Sequence, residues 1–428
     1  MRNSFLSLSH LSLALSLASL AGCSSIGSHA SRKSPDRAYI IYWPPPKGDG
    51  RLRLAVKDLI DMKGVVTTAG AEHFAKNNPP AVRDAKCLAI ARERGVRIVG
   101  KTNLTELALG VSGNNPYFGA PKNIRRDKER DIAGGSSSGS AVAVANGSAD
   151  VSFGTDTAGS IRVPAACCGI YGLKTTFGLI PTQGVYPISA KHLDTVGPMA
   201  KTLPRLVDGM DLLQPGFGQK YDAATASQKS PRRVTIGRLY IDGTDAKIDK
   251  AVDDALKAKG FNVVVLNKAF QAEWKQAEQD GKTVAVADAW LTNQHLASVW
   301  GISAGTKAVF ALGAVELAIN YPGALKRRAA WQRTLRRTFQ RVDFIALPTL
   351  KSLPPAQPRF FGGTPALEVF TLSLQNTVAV NYAGNPALAL PLPVTGEPAR
   401  VTSLQLIGPR LSEAKLLSVG RFFETRPL

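Results

Sequence analysis

The chain has 428 residues, of which 44% are hydrophobic and 20% charged, and this balance excludes a mostly disordered protein. Its 53 Lys and Arg against 32 Asp and Glu give a formal charge of +21, which suits anionic partners such as nucleic acid, phosphate-rich membrane surfaces or acidic substrates. Four Cys are too few for a disulfide scaffold, and the length gives ample chain for one large α/β domain or two or three smaller ones.

Residues 1–22 read as an export signal, with Arg2 as the charged n-region and Phe5 to Leu20 as an apolar stretch interrupted by Ser. Leu20-Ala21-Gly22-Cys23, followed by Ser24-Ser25, resembles the lipobox of bacterial lipoproteins. That resemblance implies lipidation of Cys23, a membrane anchor made of several acyl chains, and an outer-membrane location facing the periplasm. No later stretch reaches the roughly 18 consecutive apolar residues of a spanning helix, so the expectation is a soluble domain on a lipid tether. Residues 23–50, rich in Ser, Pro and Gly, read as that tether, and 51–428 as a single domain. Cys87, Cys167 and Cys168 are expected as thiols, since an adjacent-residue disulfide would be strained and no His or second Cys pair stands at zinc spacing.

Leu52 to Val56 reads as a short strand. Pro80 to Arg94 carries apolar residues at helical spacing, stops at Gly95, and leads into the buried-strand pattern Val96-Arg97-Ile98-Val99. Residues 103–110 read as helical with Asn103 as N-cap. Gly and Ser dominate 134–200, yet this stretch also carries Ala/Val helical faces and strand-like runs. Residues 214–232 read as a surface connection. Val234 to Arg238, a helix around 247–259 and Phe261 to Leu266 form a β-α-β pattern. Helices dominate 268–341, Phe344 to Pro348 is a strand, and Pro354 to Pro365 a loop. Leu388 to Leu392 and Ser403 to Leu406 are strands, and a last helix runs near Glu413 to Phe423. The alternation predicts an α/β protein without internal repeats.

Two motif matches fail on physical grounds. Gly95-Val96-Arg97-Ile98-Val99-Gly100-Lys101-Thr102 fits the P-loop expression, but β-branched residues fill the positions where a phosphate-cradling loop has to turn. The strand lies inside the motif. Gly135-Ser136-Ser137-Ser138-Gly139 fits the GxSxG elbow, which needs a hydrophobic strand directly before it and a late His base. The preceding 125–130 is charged and loop-like, and His10, His29, His73, His192 and His295 are the only His in the chain.

A third pattern stands. Gly134-Gly135-Ser136-Ser137-Ser138-Gly139-Ser140-Ala141, then Gly154-Thr155-Asp156-Thr157-Ala158-Gly159-Ser160-Ile161-Arg162, then Cys168-Gly169-Ile170-Tyr171-Gly172-Leu173-Lys174-Thr175 together resemble the amidase signature family. Ala55-Val56-Lys57-Asp58 is similar to that family's catalytic-lysine strand, Gly100 through Glu106 to its next block, and Leu193 to Met199 to a later one. The likeness is strong from about 52 to 213 and weaker over Val342 to Pro348, Asn381 to Pro393 and Leu404 to Phe422. It implies an α/β fold in which a central mixed β-sheet is covered by helices on both faces, and it implies no cofactor and no metal.

Amide hydrolysis needs a nucleophile, a base, an acid for the leaving amine and donors for the oxyanion. With His scarce, a Ser-Lys system is the natural alternative. The resemblance implies Ser160 as nucleophile, Ser136 as the bridging serine beside a cis peptide bond, and Lys57 as base. A Lys at its usual pKa of ~10 is charged and cannot act as a base, so Lys57 has to be desolvated. By the same resemblance the N–H groups of Thr157, Ala158, Gly159 and Ser160 bind the oxyanion, and Asp156 pairs with Arg162 to hold the loop. Asn114, Tyr117 and Phe118 are the candidates for the substrate pocket. The chain departs from the family in reading DTAGS where DTGGS is usual, in Ile132-Ala133 replacing a Pro, and in having a tether where the family has N-terminal helices.

The expected function is a periplasm-facing amidase that converts a small-molecule or peptide carboxamide to carboxylate and ammonia or amine, with an esterase at the same site as an alternative. The competing class is a lipid-tethered binding protein with an inactive amidase fold. It is motivated by the net charge and by Lys326 to Arg341, which holds Lys326, Arg327, Arg328, Arg333, Arg336, Arg337 and Arg341 without one acid. A solvated basic helix face is the plainer reading of that segment. No nucleic-acid partner is expected, since no stacking-aromatic module is present. The amide-transfer component of the tRNA-amidating complex is a further member of the family, against which the export signal argues.

Overall fold

The structure is a computed structural model and describes residues 34–124, 131–357, 368, 371–372 and 375–424. In chain order its strands are β1 (Tyr39–Tyr42), β2 (Arg53–Lys57), β3 (Arg97–Thr102), β4 (Val151–Asp156), β5 (Tyr171–Lys174), β6 (Thr195–Ala200), β7 (Thr235–Arg238), β8 (Asn262–Val265), β9 (Phe344–Pro348), β10 (Ala387–Val394) and β11 (Glu397–Ile407). They form one mixed sheet in the order β1-β3-β2-β4-β6-β5-β10-β11-β9-β7-β8. β3, β2 and β4 are parallel, as are β9, β7 and β8, and antiparallel pairings join these two groups.

The helices are α1 (Glu72–Asn77), α2 (Ala89–Glu93), α3 (Ser138–Ala145), α4 (Arg162–Cys168), α5 (Leu203–Asp211), α6 (Phe217–Ser227), α7 (Ala246–Lys259), α8 (Lys268–Asn293), α9 (Ala304–Ile319), α10 (Tyr321–Thr338), α11 (Val378–Ala383) and α12 (Glu413–Gly420). They cover both faces of the sheet, because successive strand residues point to opposite sides. Leu54, Val56, Phe153, Leu388 and Leu390 pack with Leu206, Val252 and Leu417 of α5, α7 and α12. Ala55 and Ala389 face the other way, onto Ala141 to Ala145 of α3 and Ala165 of α4. Small residues on both partners bring α3 close to the sheet, and every residue of α3 is buried. A side chain at Gly139 would overlap the Ala38 carbonyl, so this position accepts only glycine.

Several expectations are corrected. The tether reading to residue 50 fails at Tyr39–Tyr42, which pairs antiparallel with β3 and buries Tyr39 completely. The helix expected over Pro80 to Arg94 shrinks to a 3-10 turn and α2, because the N–H groups of Ala85 and Lys86 donate to Asp61 O (2.9 Å) and Gln183 O (3.0 Å). Asn103 caps no helix. Its Oδ1 accepts only from the neighbouring Leu104 N–H, and positive φ at Leu107 (49°) and Ala108 (56°) limits the segment to a 3-10 turn, Glu106–Ala108. The surface connection at 214–232 contains α6. The basic face is also less solvated than expected, since Arg327 pairs with Asp280 (2.6 Å) and Arg328 turns inward to Tyr382 O (2.8 Å). The strand does run through the P-loop-like motif, as β3, and Cys87, Cys167 and Cys168 are buried thiols that form no disulfide among the described residues.

Candidate active site

The parallel strands β2, β3 and β4 end at the same edge of the sheet, where open α/β sheets place their ligands. Lys57 is the last residue of β2 and Asp156 the last of β4. The Lys57 side chain is completely buried, and Nζ donates to Ser136 Oγ (2.7 Å) and Thr155 Oγ1 (2.8 Å). Burial disfavours the ammonium form and pushes Lys57 down to about 7, against the opposing pull of Asp156 and Asp194. A neutral amine is therefore available near neutral pH, in contact with a hydroxyl.

Ser136 is reached from the other side. The Gly135–Ser136 peptide bond is cis, and the Ser136 carbonyl accepts the N–H of Thr105 (3.1 Å). The next residue, Ser137, donates its N–H to the Ser160 carbonyl (3.2 Å), which ties the Gly/Ser turn to the loop that follows β4. Ser160 is buried at 5% exposure. Lys57, Ser136 and Ser160, far apart in sequence, thus converge on one edge of the sheet.

Asp156 and Arg162 bracket this loop. Asp156 accepts from Arg162 Nη2 (2.9 Å) and Nε (3.0 Å), from the N–H groups of Gly159 (2.8 Å) and Ile161 (3.1 Å), and from Asn381 Nδ2 (2.8 Å). Burial alone would raise this carboxyl, but the Arg162 guanidinium holds it well below the usual carboxylate range. Arg162 reaches further, to Gln405 Oε1 (2.6 Å), Thr377 O (3.0 Å) and Asn381 Oδ1. One expectation changes here. The Gly159 N–H is already donated to Asp156, so of the four loop donors Thr157, Ala158 and Ser160 remain for an oxyanion.

Thr157 is oriented from the far side, where its hydroxyl donates to Asp194 Oδ1 (2.6 Å). A small recess lies here, lined among others by Leu59, Thr155, Thr157, Tyr186, Ile188 and Asp194. None of the three pocket candidates lines it. Phe118 is a core side chain beside Leu59 and Leu104, held because Asn115 Oδ1 accepts both the Tyr117 and Phe118 N–H groups (2.9 and 2.7 Å). Asn114 Oδ1 accepts from Gln357 Nε2 (2.5 Å). Sequence reasoning did not find Thr155, Asp194, Thr377, Asn381 or Gln405. Thr155 and Asp194 stood inside recognised blocks, and Asn381 and Gln405 inside the weaker stretches, but none carries a motif of its own chemistry, and Thr377, Asn381 and Gln405 lie more than 200 residues beyond the loop.

A family profile described as Amidase matches residues 52–417. Among curated proteins, the chain is 31% identical to a glutamyl-tRNA(Gln) amidotransferase component, the A-type polypeptide of Natronomonas pharaonis, over 88% of this chain and 96% of that protein. It is 32% identical to the protein of the same name from Carboxydothermus hydrogenoformans, over 87% and 82%. Among solved structures, a crystal structure of an amidase superposes with a TM-score of 0.71 at 27% identity, covering 88% of this chain and 85% of that one. The corresponding glutamyl-tRNA(Gln) amidotransferase polypeptide of Thermotoga maritima shares the fold, with a TM-score of 0.75 at 23% identity over 97% and 90%.

These relatives overturn the location expected from the leader. They are named as glutamyl-tRNA(Gln) amidotransferase polypeptides, and with such relatives the exported, outer-membrane-anchored location does not stand. Residues 1–33, Cys23 among them, lie outside the described residues. Among the described residues no single helix is long and apolar enough to cross a membrane.

Proposed function

This chain belongs to the amidase family, and from that premise we propose that it cleaves carboxamide C–N bonds through an acyl-enzyme on Ser160. The observation that carries the proposal is the contact between a completely buried Lys57, pushed down to about 7, and the Ser136 hydroxyl at 2.7 Å. Neutral Lys57 takes the proton of Ser136 as Ser136 takes that of Ser160, and Ser160 Oγ adds to the amide carbonyl. The N–H groups of Thr157, Ala158 and Ser160 receive the negative charge that develops on oxygen. Collapse of the tetrahedral adduct breaks the C–N bond, and the proton returns through Ser136 to the leaving nitrogen. Water then adds to the acyl-Ser160 ester along the same relay and releases the carboxylate.

Asp156 and Arg162 hold the loop in this scheme and exchange no proton. The names of the relatives favour a second reading, in which the nitrogen released from the amide passes to another acceptor and not to water. The binding-only alternative is not favoured, since a structural or ligand-holding role gives no reason to bury an uncharged amine against a serine. A fluorophosphonate probe tests the proposal: mass spectrometry should find the adduct on Ser160, and Ser160→Ala should not label. A folded wild-type protein that fails to label defeats it. A panel of glutamine, simple carboxamides and esters then separates the two readings and the esterase alternative.

A further inference from the structure

The loop that carries Ser160 is pinned by a residue from the far end of the chain. Thr377, just before α11, donates its hydroxyl to the Ala158 carbonyl (2.6 Å). The N–H on the other end of that peptide group, that of Gly159, donates to Asp156 (2.8 Å). The Ala158–Gly159 peptide plane is thereby held at both ends, from opposite directions. Its orientation sets where the flanking N–H groups of Ala158 and Ser160 point.

Two further features fit the contact. Gly159 has φ +135°, and a side chain there would overlap the Thr377 hydroxyl, so glycine is what allows Thr377 to approach. Thr377 Oγ1 also lies 3.1 Å from the Gln375 carboxamide oxygen, while Gln375 Nε2 is buried with no partner among the described residues. A threonine has one hydroxyl proton, and the shorter bond, to Ala158, takes it. A half-turn of the Gln375 carboxamide about its last bond brings Nε2 to the Thr377 oxygen and pairs the donor. The chain Gln375 to Thr377 to Ala158 then runs in one direction.

We propose that Thr377 is a positioning residue for the nucleophile loop, fixing the Ala158–Gly159 peptide so that the Ala158 and Ser160 N–H groups and the Ser160 side chain face the reacting carbonyl. The proposal rests on the acyl-enzyme reading above. It goes beyond that reading by assigning part of the site to the C-terminal segment, which has no nucleophile, acid or base of its own in the reaction. Thr377 touches no reacting atom and acts through Ala158.

The test compares wild type with Thr377→Val, which keeps shape and loses the proton, and Thr377→Ser, which keeps the proton. The rate of fluorophosphonate labelling at Ser160 and the kcat and KM for any turned-over amide are measured beside the thermal melting temperature. Thr377→Val should label at least about 10-fold more slowly and lose kcat by about 10- to 100-fold, the range expected when oxyanion donors are misplaced, with KM within about 3-fold of wild type. Thr377→Ser should restore both rates to within about 3-fold of wild type. If wild type labels and Thr377→Val labels at the wild-type rate, the positioning role is wrong and the acyl-enzyme reading stands. A slow serine variant, or a valine variant slowed only as far as its folded fraction falls, also overturns the role. If wild type itself does not label, both readings fall together.

Discussion

Two lysines, Lys57 at the end of β2 and Lys174 at the end of β5, are completely buried, and in both burial is the largest influence and pushes the amine down to about 7. Their neighbours differ. Lys57 Nζ donates to two hydroxyls, those of Ser136 and Thr155. Lys174 Nζ donates to two backbone carbonyls, Thr175 O (2.8 Å) and Asn385 O (2.9 Å). A hydroxyl can give its proton to a neutral amine, whereas a carbonyl can only accept. Lys57 is therefore placed to act as a base. Lys174 serves as a crosslink between β5 and the turn before β10. A lowered pKa marks both residues and does not by itself tell them apart.

The sharpest way to break this comparison is to remove each amine in turn. Lys57→Met should lower kcat by about 10²- to 10⁴-fold, the usual worth of a positioned base, with a melting temperature close to wild type. Steady-state kinetics beside thermal melts measure both. The acid limb of kcat/KM should carry the same group: below pH 7 Lys57 takes up a proton, and the rate should fall about tenfold per pH unit. Near-normal turnover in Lys57→Met, or a flat acid limb, would sink the base assignment.

Lys174→Met should do the reverse. It leaves the carbonyls of Thr175 and Asn385 without their donor, at a cost of about 1–3 kcal/mol in urea unfolding, while kcat of the folded fraction stays within about 3-fold. The pH dependence sharpens the contrast. An amine whose folded pKa lies near 7 and whose unfolded pKa is ~10.4 binds more protons when unfolded anywhere between those values. Its contribution to stability is present in full above the unfolded pKa and is lost as pH falls toward 7. The stability difference between wild type and Lys174→Met should therefore widen as pH rises from 7 to 10. A difference independent of pH would show that Lys174 is charged throughout, contrary to its burial.

The side of the candidate site proposed to react was legible because its residues sit inside dense local motifs. Lys57, Ser136 and Ser160 stand in blocks whose Gly, Ser and small residues have few other reasons to occur together. The strands were legible for a similar reason: the short apolar runs of β2, β9 and β10 are local signals. What was missed depends on distant contacts. Thr377, Asn381 and Gln405 are ordinary polar residues in the sequence, and they acquire a role only when α11 and β11 pack behind the loop after β4. β1 was hidden inside a Ser- and Pro-rich stretch because four residues give little periodicity, and its pairing with β3 decides its state. The Gly159 N–H was misassigned for a related reason, since only the folded loop reveals that Asp156 has already claimed it.

The smallest expected effect belongs to histidine, and it bears on whether Lys57 is the base at all. His192 is the best placed of the three described His to affect the site, because Nδ1 lies 2.7 Å from Asp288 Oδ2 in a polar cluster close to the loop that holds Asp194. Removing it should matter little. Asp288 keeps the hydroxyls of Ser189 and Tyr321, each at 2.5 Å, so His192→Ala does not strand a buried carboxylate. The His192 carbonyl, which accepts from Arg328, is backbone and survives the substitution. Turnover should stay within about 2-fold of wild type, the scale of about 0.5 kcal/mol expected for a part-exposed side chain whose partners remain satisfied. His73→Ala and His295→Ala should be equally mild, measured as kcat/KM on the same substrate. Loss of turnover in any one of the three, with Lys57→Met still active, would move the base from lysine to histidine and leave the buried amine of Lys57 with only the structural role that Lys174 plays.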